Sequence, residues 1–260
     1  MKVVLIGAGR LATNLGVALR EAGEDIKQVY SRTMESADVL AAKTDAEAVT
    51  DISEITPDAD IYIVSVKDSV LQTLIPQLCK GREERLFVHT AGSMPMDIFK
   101  GYARRYGVFY PMQTFSKERR ADFRKITCFL EASDRDVMAQ LHSVAESIGS
   151  RAMELDTERR RYLHLAAVFA CNFANHCYDL AAEVLKRHDI PFDVMLPLID
   201  ETAAKVHSLS PSEAQTGPAV RYDRNVIGAQ MQLLTDDPQT QQIYEQLSKS
   251  IHDKLQSKED

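Results

Sequence analysis

Val3-Val4-Leu5-Ile6-Gly7-Ala8-Gly9-Arg10-Leu11-Ala12 is the stretch that decides the fold. Its first four residues read as a strand, and the next six form a GxGxxA turn. Gly7 permits the tight turn, Gly9 lets a pyrophosphate approach the backbone, and Ala12 keeps the following helix close to the strand. That helix, Leu11 to Ala22, carries apolar residues at Leu11, Leu15, Ala18 and Leu19 and is amphipathic. Its N-terminus offers free N–H groups and a partial positive charge to phosphates. Strand, turn and helix together predict a dinucleotide site built from Gly7, Ala8, Gly9, Arg10, Leu11 and Ala12.

The second strand, Ile26 to Ser31, decides which dinucleotide. An acid at its end, about 20 residues beyond the turn, would bind the ribose 2′-hydroxyl of NAD. The chain instead reads Ser31-Arg32-Thr33. Arg32 can grip a 2′-phosphate bidentately, with Ser31 or Thr33 donating to it. The predicted cofactor is therefore NADP.

Outward from this unit, strands alternate with helices. A helix is expected from about Met34 to Ala42, and strands near Ala48–Ile52, at Ile61–Val66 and at Leu86–His89. Ser69–Cys79 reads as a helix that Pro76 could end early. Further strands are expected near Val108-Phe109 and over Ile126–Leu130. This alternation predicts an α/β domain with a Rossmann-type parallel sheet. From about Thr157 to His188 the pattern becomes a long helix with a broad apolar surface, followed by helices at about Phe192–His207, Arg224–Leu234 and Gln239–Leu255. The expected organisation is a dinucleotide-binding domain over residues 1–155 and an all-helical domain for substrate and dimerisation over 156–260, with Ser257 to Asp260 frayed.

Composition narrows the function. The 260 residues are 45% hydrophobic and 27% charged, with a net charge of -7, which suits a packed core and disfavours nucleic acid as a partner. Cys79, Cys128, Cys171 and Cys177 form no CxxC pair, so buried, reduced thiols are expected, with no metal site. No apolar run approaches the ~20 residues of a membrane span, and the expected location is the cytoplasm.

Several later segments match one another's context in a known family. They are Val64-Ser65-Val66-Lys67-Asp68, His89-Thr90-Ala91-Gly92-Ser93, Tyr110-Pro111-Met112-Gln113-Thr114-Phe115, the helix from His164 to Asn172, and Thr216-Gly217-Pro218-Ala219-Val220-Arg221. With the glycine turn, they resemble a family of NADP oxidoreductases with a Rossmann-like domain and a helical domain of uncharacterised function. Pyrroline-5-carboxylate reductase and the deazaflavin-dependent NADP reductases are its broader kin. The resemblance implies that Val66, Lys67, Thr90, Ala91 and Gly92 flank the nicotinamide, and it supports a homodimer through the helical domain. Lys67-Asp68 could equally be an ordinary helix start with Asp68 as N-cap, and His89 could be a satisfied core histidine.

The related hydroxyacid dehydrogenases place a Lys four residues before an Asn on the interdomain helix. Here Asn172 is preceded at that distance by Val168. His164 lies four residues further back, so His164 and Asn172 are the candidate catalytic pair, His164 as acid or base. Gln113, Thr114, Thr216, Gly217 and Arg221 are the candidate substrate contacts; Arg221 suits a carboxylate or phosphate on the substrate and could equally pair with Asp223 or another acid. Two functions stay open: an NADP(H)-dependent oxidoreductase of a small carbonyl or imine substrate, or a non-catalytic NADP-binding sensor that binds a partner.

Overall fold

In the computed structural model, which describes residues 1–256, eight strands form one sheet in the order β3-β2-β1-β4-β5-β6-β7-β8. The expectation for Ser257 to Asp260 lies outside the described residues. Chain order runs β1 (Lys2–Ile6), α1 (Arg10–Glu21), β2 (Asp25–Tyr30), α2 (Met34–Thr44), β3 (Glu47–Val49), β4 (Ile61–Val64), α3 (Asp68–Cys79) and β5 (Leu86–His89). It continues through β6 (Arg105–Pro111), β7 (Thr127–Ala132), α4 (Arg135–Ser147) and β8 (Arg151–Glu154). The helices that follow are α5 (Thr157–Ala167), α6 (Ala174–Lys186), α7 (Leu196–Lys205), α8 (Arg224–Gln232) and α9 (Pro238–Gln256). The Rossmann-type sheet followed by helices is the architecture the sequence predicts.

Alternation along β1 shows how the sheet is covered. Val3 and Leu5 pack with Leu15, Leu19 and Leu40 from α1 and α2. Val4 and Ile6 point the other way, onto Leu71, Ile75 and Leu78 of α3. Val3, Val4, Leu5 and Ile6 are all essentially inaccessible to water, as expected for a strand covered on both faces.

Three local expectations need correction. β7 pairs antiparallel with β6, Tyr110 opposite Phe129, so the sheet is mostly rather than wholly parallel. Residues 135–147 form α4, and β8 adds an edge strand, neither of which the sequence reading expected. Pro76 does not end α3, which runs on to Cys79. The buried Leu74, Ile75, Leu78 and Cys79 anchor its last turn, and their burial outweighs the missing hydrogen bond at proline.

The chain divides into two compact units, Met1–Asn172 and Phe173–Asp260. The first holds the sheet, α1 to α5 and most of a π-helical turn, Val168–Phe173. The second is helical, and none of α6, α7 or α8 has a buried residue. Among the described residues, no helix is long and apolar enough to cross a membrane.

Candidate active site

At the C-terminal end of β1, Gly7 adopts φ +112°, and a Cβ there would lie 2.3 Å from the Ser65 carbonyl oxygen. Only glycine fits where the turn crosses the end of β4. Gly9 is different: a Cβ built on it meets nothing within 4 Å, so its small size leaves open space over the start of α1. Gly9 caps that helix without a side-chain bond, and the first helical N–H to reach it is that of Thr13, at 2.9 Å. The N–H groups before Thr13 therefore face that space, which suits an anionic pyrophosphate. Asn14 pins the helix by donating to the carbonyls of Arg10 (2.9 Å) and Ser116 (2.8 Å) and accepting from the Ala121 N–H.

A cavity of about 270 Å³ lies beside the turn, lined by Gly7, Ala8, Gly9, Ser31, Arg32, Ser65, Val66 and Lys67, with Ser36 and apolar residues completing it. Ser31 and Arg32 thus share one cavity with the glycines, and Arg32 is exposed. Thr33 instead occupies the N-cap position of α2. Arg10, Leu11 and Ala12 form the first turn of α1, where Ala12 is buried. Ser36 and Ser65 are the additions; Ser36 follows Arg32 by four residues, a signal that helical spacing could have revealed. Lys67 is the N-cap residue of α3, and Asp68 is the first helical residue rather than the cap. The Asp68 carboxylate accepts a short hydrogen bond from the Ser93 hydroxyl.

The loop after β5 is held from below by His89, which has no exposed surface. Its Nδ1 accepts from the Ala91 N–H at 3.2 Å, leaving Nε2 to donate to the Pro95 carbonyl at 3.3 Å. Burial, with the nearby Arg160 charge, pushes the imidazole down to about 3 against the pull of Pro95. His89 is therefore a neutral core histidine, the plainer of its two readings. The Thr90 N–H donates to the Val64 carbonyl at 3.1 Å, tying this loop to the neighbouring strand end. Gly92 is buried, and a Cβ on it would lie 2.6 Å from Nδ1 of His164. The small residue expected to admit a nicotinamide also admits the imidazole of His164.

A second opening, about 570 Å³, is lined by Tyr110, Met112, Gln113, Thr114, Leu163, His164, Ala166, Ala167, Ala170, Cys171 and Asn172. Four predicted residues, Gln113, Thr114, His164 and Asn172, thus share one cleft. Asn172 is exposed and His164 half-buried, so neither is a fully buried strut.

The π-helical turn over Val168–Phe173 changes the helical geometry. It inserts extra residue spacing into the turn, and Val168 does not line the cleft, whereas Ala167 does. Lysine is absent at both Val168 and Ala167.

The start of α5 is firmly tethered. Asp156 caps it, accepting from the Arg159 N–H at 2.8 Å. Glu131 on β7 accepts from the Thr157 N–H at 2.9 Å and from the fully buried Arg160 guanidinium at 2.9 Å. Arg160 also donates to the Met94 carbonyl at 2.5 Å. These bonds position His164 one turn further along, where Tyr110 Oη lies 3.0 Å from its Nδ1.

Thr216, Gly217 and Arg221 belong to the second unit. Gly217 has φ +109°, while Thr216 and Arg221 are exposed. Asp223 caps α8 by accepting from the Val226 N–H at 3.2 Å. Cys79 and Cys128 are buried free thiols, which burial pushes up to about 12 and about 11 respectively. Cys177 is exposed, contrary to the expectation of burial.

Known proteins share the fold and the family. Residues 2–92 match the family model for "NADP oxidoreductase coenzyme F420-dependent", and residues 126–251 match a domain of unknown function, DUF2520. A crystal structure from Bacteroides fragilis, described as a "putative NADP oxidoreductase", is 57% identical to this chain. It matches over 97% of this chain and 98% of that one, with a TM-score of 0.94. The chain belongs to this NADP oxidoreductase family. NADP is the cofactor named for the family. An imine reductase from Myxococcus stipitatus, solved with NADP+, has the same fold at 15% identity and TM-score 0.68, covering 99% of this chain and 93% of that one. The L-aspartate dehydrogenase of Methanothermobacter thermautotrophicus is 22% identical over 100 residues, 38% of this chain and 39% of that protein. The match therefore spans well under half of that curated relative.

Proposed function

We propose that this oxidoreductase transfers a hydride between NADP(H) and a small carbonyl or imine substrate held in the cleft of His164 and Asn172. One contact carries the reading: Gly92, on the loop expected beside the nicotinamide, abuts His164. It joins the cofactor-side loop to a titratable side chain in a cleft large enough for a small molecule. When bound, NADPH supplies the hydride. The glycine turn holds its pyrophosphate, Ser31 and Arg32 its 2′-phosphate, and Val66, Lys67, Thr90 and Ala91 its nicotinamide side. Gln113, Thr114 and Asn172 orient the substrate. Thr216, Gly217 and Arg221 are retained as further substrate contacts. We place the working division near residue 155, with residues 156–260 as a helical substrate and dimerisation domain. Exposed apolar side chains on that stretch, among them Leu198 and Leu233, support a homodimer.

The imine reductase and aspartate dehydrogenase relatives favour C=N or C=O chemistry, and the family description also names coenzyme F420. The test is a fluorescence titration with NADPH and NADH, followed by NADPH oxidation with 1-pyrroline, pyruvate and a deazaflavin. NADPH binds tighter than NADH, and Arg32→Ala costs ~1.5–3 kcal/mol of NADPH binding, the worth of a charged hydrogen bond. Equal affinities for the two nucleotides sink the NADP assignment. Tight NADPH binding without turnover on any probe favours the second reading, a non-catalytic NADP sensor, which the apolar Val168 and Ala167 support.

A further inference from the structure

Tyr110 is contributed by β6, outside the helix that carries His164 and Asn172. Its side chain is 8% exposed, yet it lines the same cleft as His164 and Gln113. Its hydroxyl is 3.0 Å from Nδ1 of His164, and the two rings meet edge to face at 77°. Phe129 from the paired strand packs 6.5 Å away, centroid to centroid, so the phenol ring has an apolar support. His164 also abuts Gly92, which has no room for a Cβ. Two side chains from separate elements are thus held in register at one wall of a small-molecule cleft.

We propose that Tyr110 is the proton donor to the reduced substrate and that His164 recharges it. The inference rests on the hydride-transfer reading above and names its acid. In the reductive direction, the substrate carbon accepts hydride from the reduced nicotinamide, and the C=O or C=N π pair moves onto the heteroatom. That heteroatom takes the Tyr110 proton, breaking the phenol O–H and forming a new O–H or N–H bond. The resulting phenolate accepts the Nδ1 proton of a His164 imidazolium. His164 is left neutral with its proton on Nε2, and it takes a replacement proton from water, to which its half-buried ring has access.

The electrostatics suit the step. Burial raises the Tyr110 phenol, which keeps it protonated before the reaction, while the positive charge of Arg160 works the other way. Arg160 is fixed by its ion pair with Glu131 at 2.9 Å and favours the phenolate during the step. A donor that begins protonated and has a stabilised conjugate base meets both requirements of general acid catalysis.

Tyr110→Phe removes the hydroxyl and keeps the ring. With wild type turning over 1-pyrroline or pyruvate, the variant loses at least about 100-fold in kcat, while KM and NADPH affinity stay within about threefold. His164→Ala also slows turnover, and added imidazole restores part of it, a rescue that a packing role does not give. A readout free of turnover is the ¹⁵N NMR spectrum of the His164 ring, whose Nδ1 resonance moves in Tyr110→Phe because its hydrogen-bond partner is gone. Full kcat in Tyr110→Phe beside an active wild type overturns the donor role, as does a slowed His164→Ala that imidazole cannot rescue. Absence of wild-type turnover on every probe overturns the hydride-transfer reading and this inference with it. An unchanged Nδ1 resonance overturns the pairing of the two residues whatever the activity.

Discussion

The sheet-bearing part of the chain and the helices after it solve the same hydrophobic problem differently. Helix α1 buries Ala12, Leu15 and Leu19, and α4 buries Val137, Leu141, Val144 and Ala145, each against a sheet made by the same chain. By contrast, α6, α7 and α8 have no fully buried residue, although their sequences are amphipathic. Leu198 of α7 is 59% exposed and Leu233, just past α8, is 84% exposed. An isolated exposed leucine needs no explanation, but exposed leucines on successive helices support the proposed interface. The first part completes its own core; the second leaves apolar side chains exposed, which the proposed dimer would cover.

The largest expected effect tests the self-sufficiency of the sheet. His89 is neutral in the folded protein, with a pKa lowered to about 3 by burial, against about 6.5 for a free histidine. Between those values the unfolded chain holds a proton that the folded chain does not. Stability from this residue therefore rises with pH through the window, is complete above about 6.5, and is lost as pH falls towards 3. The full swing is on the order of 3–5 kcal/mol. Urea unfolding at a series of pH values should show a decline in wild type that is shallower by this amount in His89→Gln. Parallel wild-type and variant curves would mean that His89 is not the buried neutral group described above.

Much of this division was legible in the sequence, because its signals are local. Continuous apolar runs such as Ile61 to Val64 mark strands covered on both faces, and the glycine turn follows its strand without interruption. Helix α4 was also readable: Asp134 accepts from the Val137 N–H at 2.9 Å, and Val137, Leu141 and Val144 recur at helical spacing. The short strand β8, Arg151-Ala152-Met153-Glu154, has no clear apolar alternation, since it lies at an edge and is mostly exposed. The antiparallel turn of β7 depends on pairing across the sheet, and no short window of residues encodes it.

The candidate site divides along the same line. Ser31 and Arg32 could be found by counting from the glycine turn, because adjacent parallel strands end side by side. His164 and Asn172 could be found from one helix. Tyr110 could not be singled out, since its partner is 54 residues away, and the contact exists only once β6 and α5 have packed. The π-helical turn was equally hidden: nothing in Val168-Phe169-Ala170-Cys171-Asn172-Phe173 forbids an ordinary α-helix.

The second test addresses the bare helices. Leu198→Glu places a charge on the exposed apolar surface of α7. If a second copy covers that surface, the dimer dissociation constant rises at least 100-fold, equivalent to about 2.7 kcal/mol, as measured by sedimentation velocity over a range of concentrations. NADPH affinity stays the same, because the glycine turn, Ser31 and Arg32 all lie in the first unit. A wild type that sediments as a monomer at micromolar concentration removes the proposed dimer and leaves the apolar faces to another partner.

The smallest effect tests how completely the sheet-bearing part owns its ligand site. Gly7 and Gly9 belong to one motif but have different reasons to be glycine. At Gly7, positive φ and the Ser65 carbonyl exclude a Cβ on structural grounds, so any substitution there confounds folding with binding. Gly9 has φ -77° and free space around the Cβ position, so Gly9→Ala leaves the fold intact and changes urea stability by less than about 0.5 kcal/mol. On the proposed reading, the added methyl stands where the pyrophosphate approaches the backbone. NADPH affinity should fall about tenfold, or about 1.4 kcal/mol, in a fluorescence titration. Since the cost comes from the phosphates that both cofactors share, NADH affinity falls by the same factor, whereas Arg32→Ala penalises NADPH alone. A Gly9→Ala protein that binds both nucleotides like wild type would show that the space over α1 is not where the pyrophosphate sits. The site would then have to be sought elsewhere along the strand ends.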